Sequence, residues 1–199
     1  MKEQKRLGLF RPITHPLMAS RACRLAFSAL GLLALASSPA AWADDSSLSA
    51  LPSPQCDGLV VPAGNTVKFH AYAVGVQIYH WDGAGWVFDA PAATLFADPG
   101  HRAQVGIHYA GPTWETQSGS KVVGARLAAC TPDSTAIPWL KLGAVSSDGP
   151  GLLEGVTYIQ RVNTAGGKAP SSPGTMAGQQ ANVPYSAEYY FYESDGTEP

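Results

Sequence analysis

The chain has 199 residues, 45% of them apolar and only 14% charged, with 13 Lys and Arg set against 15 Asp and Glu. That length suits one ordinary domain with a continuous core. The charge balance argues against phosphate-backbone or anionic-membrane binding, which rest on clustered Lys and Arg, so no nucleic acid partner is expected and no cofactor is called for.

Residues 1–43 read as a secretory signal peptide. Arg21 and Arg24 precede the apolar run 26–36, and Ala41-Trp42-Ala43 supplies a small-residue cleavage site before Asp44. The run is shorter than the about 20 apolar residues a bilayer span needs, so the mature chain is expected to carry no integral membrane segment and to work in the periplasm or outside the cell. Six cations (Lys2, Lys5, Arg6, Arg11, Arg21, Arg24) leave with the leader and one acid, Glu3, so 7 cations remain against 14 acids. Cys23 also leaves. Cys56 and Cys130 remain, and an exported chain with two cysteines commonly pairs them. Such a bridge closes a loop of about 75 residues and stabilises by at most about 4.5 kcal/mol through chain entropy. Two buried free thiols are the alternative.

Residues 44–55 are rich in Ser, Pro and Asp without periodicity and read as a flexible lead-in. A single β domain follows over 56–193, with a tail at 194–199. Within it, short runs of Val, Ile, Tyr, Phe and Trp alternate with Gly, Pro, Asn and Asp, the pattern of strands and turns. Strands are expected at 58–61, 66–81, 85–90, 93–96, 104–109, 113–116, 121–127, 139–145, 153–162 and 185–192. The only room for a helix is a short one near 89–96. Asp82-Gly83 and Ser118-Gly119-Ser120 mark two tight hairpins, so neighbouring strands run antiparallel. The fold expected is an all-β sandwich or flattened barrel of about eight to ten strands. Residues 164–184 break the rhythm with about twenty residues lacking any pattern, read either as a mobile excursion or as a lid or binding loop.

Several motifs carry a family likeness: Gly75-Val76-Gln77-Ile78-Tyr79, Trp86-Val87-Phe88-Asp89-Ala90-Pro91, His108-Tyr109-Ala110-Gly111-Pro112-Thr113-Trp114-Glu115, Ile137-Pro138-Trp139-Leu140, the run 158–167 and the run 185–192. Together they resemble a family of exported bacterial and secreted fungal proteins known as a domain of unknown function. The resemblance spans nearly all of 60–192. It implies an exported single domain and assigns no activity or catalytic residue. Relatives carry cysteines at the position of Trp81 and within 169–184, and this chain has neither.

No G-x-S-x-G, H-E-x-x-H, C-x-x-C or phosphate-cradling glycine motif is present. His80 and Asp82 share one face of an extended segment, and a third ligand from His70 or His108 would make a metal site; the spacing alone does not call for one, and no metal is expected. The segment 108–115 holds the candidate pocket. His108 takes one face of its strand while Ile107 and Tyr109 take the other, and with Trp114 and Glu115 these residues suit either a sugar-sized or aromatic-ligand pocket or a hairpin packed on a core. Arg161 and Glu188 are lone charges in apolar strands and are expected to pair across them, or to belong to the site. The aromatic run 185–192 is expected to have one face on the core and the other half-wet. The functional expectation is a module that binds a small molecule or a cell-envelope component. The rivals are a secreted hydrolase or lyase using His108 and Glu115, and a structural surface protein.

Overall fold

The computed structural model describes residues 50–196; the segment expected as a signal peptide, the first part of the expected lead-in and the last three residues of the tail lie outside the described residues. Eight strands follow one another: β1 (Asn65–Trp81), β2 (Trp86–Phe96), β3 (Gln104–Tyr109), β4 (Thr113–Thr116), β5 (Lys121–Cys130), β6 (Trp139–Asp148), β7 (Val156–Gly166) and β8 (Gln180–Ser194). Each pairs antiparallel with its neighbour in sequence, and β8 returns to β1, so the sheet closes into a barrel and leaves no edge strand.

Both hairpins form where the turn residues place them. Asp82 accepts from the backbone N–H of Ala84 and Gly85, each at 2.7 Å, and Gly83 takes the positive φ of 103° that the turn requires. Ser118-Gly119-Ser120 joins β4 to β5. Three expectations need correction. The segment expected as a strand at 58–61 starts instead in a 3-10 turn, Asp57–Leu59, closed by Leu59 N–H to the Cys56 carbonyl at 2.9 Å. The separate strands at 85–90 and 93–96 are one, because Pro91 pairs opposite Gln77 beside a bulge at Ile78/Tyr79 and the strand passes through it. The same stretch therefore holds no helix: Pro91, Ala93 and Leu95 alternate inward at strand spacing.

The barrel interior is packed by Ala71, Leu95, Trp114, Val122, Ile159 and Phe191, among others. Gly124 makes room for the largest of them, since a Cβ there would lie 3.2 Å from Trp114 Cζ3. A second cluster lies outside the barrel. Cys56 and Leu59 pack with Trp139, Val162, Tyr190 and Tyr192, and the Cys56–Cys130 disulfide fastens this N-terminal strap to the end of β5. Gln160 Nε2 donates to the Leu59 carbonyl and Tyr192 OH to Gln160 Oε1, both at 2.7 Å. This strap overturns the half-wet face expected for β8: Tyr189, Tyr190, Phe191 and Tyr192 are all buried, alternately by the interior and by the strap. Part of the lead-in is fastened as well, with Leu51 packed on the outer cluster and Gln55 Nε2 donating to the Thr131 carbonyl at 2.8 Å.

Candidate functional site

The two ends of the barrel differ. At one, Ser120 and Leu153 are fully buried, and Leu153 N–H donates to Ser120 Oγ at 3.1 Å, which seals the interior. At the other, where β1, β3, β5 and β7 end, a cavity of about 440 Å³ opens. That lies within the roughly 300–1,000 Å³ of small-molecule sites, and eight strands enclose an interior just wide enough for side chains to fill or for one small ligand.

Strand parity decides what enters this cavity. His108 stands opposite Trp114 in the β3–β4 register, and both point inward. Their rings stack at 4.3 Å between centroids and 8° between planes, with Tyr189 edge-on to both. His108 Nδ1–H donates to the Thr113 carbonyl at 2.8 Å. Burial drives its pKa down to about 3 against that hydrogen bond, and the Arg161 charge pushes the same way, so the ring is neutral at physiological pH and leaves Nε2 as an acceptor.

Arg161 also enters the cavity, opposite Tyr189 in the β7–β8 register. Its Nε and Nη2 donate to one acceptor, the Pro138 carbonyl, at 3.1 and 2.8 Å. The ion pairs formed among the described residues are Lys68–Glu193, His70–Glu188, His80–Asp89, Arg102–Asp98 and Lys121–Asp148, none of which includes Arg161 or the second cavity cation, Arg126. The guanidinium of Arg161 acts on Tyr79, His108, Tyr185 and Tyr189 alike, which places its charge at the centre of the aromatic wall.

Burial, the largest cause in each case, raises the phenol pKa of Tyr79, Tyr185 and Tyr189, so all three remain protonated donors. Tyr79 OH donates to the Gly167 carbonyl at 2.7 Å. Four other buried atoms form no well-aligned hydrogen bond among the described residues: Trp114 Nε1, and Gln77 Nε2, Tyr185 OH and Tyr189 OH, of which the last three act on one another and Tyr189 also on Arg161. Each belongs to a residue no more than 3% exposed. Buried donors left unmatched are costly in a native interior, and this group is concentrated in one place.

The sequence-derived candidates are divided by the sheet. His108, Trp114 and Arg161 line the cavity. Tyr109 and Glu115 leave the outer face, where Tyr109 OH donates to Glu115 Oε2 at 2.7 Å and has its pKa raised by that bond. Glu188 is outside too, because the register sets Tyr189 opposite Arg161 and Glu188 opposite Val162. Glu188 accepts from Asn163 Nδ2 at 3.0 Å, lies 3.0 Å from His70 Nε2, and has its pKa lowered chiefly by the His70 contact. The expected Arg161–Glu188 pair therefore does not form, and His108 and Glu115 make no acid–base pair. The metal candidates are also dispersed: His80 bonds Asp89 at 2.6 Å, Asp82 holds its own turn, and among the described residues no group of three or more suitable side chains converges.

Sequence reasoning missed Gln77, Tyr79, Arg126, Tyr185 and Tyr189. The usable signal was parity, since Arg126 lies two residues from Gly124 and four from Val122 on the inward face. The long loop was also misjudged in extent and attachment. It spans 167–179, Trp86 Nε1 donates to its Ser172 carbonyl at 2.9 Å, and a Cβ on Gly174 would come within 2.4 Å of Trp81 Cγ.

Among the described residues, no helix is long and apolar enough to cross a membrane. A family model described as "Protein of unknown function (DUF3455)" matches residues 62–193. No curated protein and no solved structure matches the chain.

Proposed function

We propose that the chain, which belongs to the DUF3455 family, acts as an exported small-molecule-binding barrel whose open end is the binding site. The observation that carries this reading is one cavity of about 440 Å³ with Gln77, Trp114 and Tyr189 in its lining, each carrying a buried donor without a well-aligned hydrogen bond. At the opposite end Leu153 is fully buried, and buried polar groups left without partners are few in native interiors. Export is supported by the leader and by the Cys56–Cys130 bridge, which suits an oxidising compartment. The working chain is then 44–199, with the β domain at 56–193.

Filling the cavity tests the reading. Leu140 lines it and is only partly buried, so Leu140→Trp narrows the mouth without removing core volume. Wild-type protein screened by thermal shift against small organic acids, sugars and aromatic compounds is expected to be stabilised by at least one class, and the variant to lose that response. A wild type that responds to none, or a variant that responds equally, refutes the site.

A further inference from the structure

We infer that the open end of the barrel is built for an organic acid, a carboxylate on an apolar body, with Arg161 meeting the charge. This rests on the proposed binding site and adds the chemistry of its occupant. The free hydrogen-bonding capacity of the cavity is weighted toward donors, with the neutral His108 supplying Nε2 as an acceptor. The indole N–H of Trp114 and the amide Nε2 of Gln77 can only donate and form no well-aligned hydrogen bond, and the phenols of Tyr185 and Tyr189, which act on each other, keep their protons. A ligand that satisfies them must be rich in acceptors.

Charge points the same way. Arg161 and Arg126 both line the cavity, and its lining carboxylate, Asp89, is already engaged by His80 at 2.6 Å. A half-buried guanidinium normally recruits a carboxylate. Arg161 instead donates Nε and Nη2 to one neutral carbonyl and meets no carboxylate in any of the ion pairs among the described residues. Two like charges in one mouth are unfavourable until an anion arrives. The chain around this mouth is acidic overall, at 7 cations to 14 acids after the leader, so the paired arginines run against the general charge.

The remaining walls describe the rest of the ligand. Phe88, Ile137, Leu140 and Leu142 offer apolar surface, and Trp114 and Tyr189 offer ring faces and edges. Inorganic phosphate would leave these walls wet, whereas an acid with a ring or chain covers them.

The test is isothermal calorimetry on the purified protein with matched pairs: 2-naphthoate against 2-naphthamide, and octanoate against octanamide, with naphthalene-2-sulfonate as a third arm. Each acid is expected to bind at least about tenfold more tightly than its amide, equivalent to about 1.4 kcal/mol. Arg161→Met is expected to abolish that preference while leaving amide binding in place, and Arg161→Lys to restore part of it. Equal sulfonate and carboxylate affinity would assign recognition to negative charge; a carboxylate preference would assign it to the planar head group. Amides binding as well as acids to wild type would overturn the organic-acid assignment and leave the cavity reading intact. If both members of each pair bind equally to wild type and to Leu140→Trp, the cavity reading falls instead. The wild-type comparison decides the matter even if an Arg161 variant fails to fold.

Discussion

Acidification from pH 7 to pH 4 is expected to destabilise the protein through His108, and the size of the effect follows from where the ring sits. The imidazole is stacked on Trp114 in the barrel interior, and its pKa is depressed from 6.5 to about 3. In the unfolded chain the ring takes up a proton as pH falls through 6.5, whereas in the folded chain it does so only near 3. A depressed folded pKa thus contributes stability above the unfolded value and loses it on acidification, at about 1.36 kcal/mol per pH unit between the two values. From pH 7 to pH 4 this amounts to about 3 kcal/mol. Urea denaturation at both pH values, compared between wild type and His108→Asn, isolates the contribution, because the carboxylates that titrate over the same range are common to both proteins. The variant is expected to lose about 3 kcal/mol less than wild type. Equal losses would show that His108 is protonated in the folded barrel, and that its burial and neutrality have been misassigned.

A double-mutant cycle with Arg161→Met and Glu188→Gln is expected to be additive within about 0.5 kcal/mol, since the side chains leave opposite faces of the sheet; larger coupling would mean that they meet. Gln160→Ala removes a donor to Leu59 and an acceptor for Tyr192, and a urea-midpoint loss of about 1–3 kcal/mol is expected. A smaller loss would show that the strap is held without it. Trp86→Ala removes the donor to Ser172, and limited proteolysis is then expected to cut first within 167–179. An unchanged cleavage pattern would show that the loop does not depend on Trp86.

Much of the barrel was legible because period-two alternation and turn residues act locally. Asp82-Gly83 fixed one hairpin, and the split of His108 from Ile107 and Tyr109 followed from pleat geometry alone. The Cys56–Cys130 pairing came from counting cysteines. What stayed hidden depends on non-local partners. Tyr190 and Tyr192 look outward by parity, and their burial comes from distant partners: the strap, more than 125 residues earlier in the chain, with Trp139, Val162 and, for Tyr190, the stacked ring of His70. Arg161 looked like half of an ion pair because sequence displays carboxylates but not the free carbonyl of Pro138. Pro91 looked like a break because the pairing of its strand with β1, which continues through Ala90 and Pro91 past the bulge at Asp89, is not written in its own neighbours.

The seam between β1 and β8 also has a temporal meaning. His70 meets Glu188 across 118 residues of sequence, so the strand that closes the barrel is synthesised well after the strand it pairs with. Pairings this distant form slowly, because the loop-closure entropy comes before any contact rewards it. Until β8 emerges, β1 has only β2 beside it and one of its edges stays open. The barrel and its cavity therefore come into being together, since the cavity has no closed wall until β8 lies beside β1.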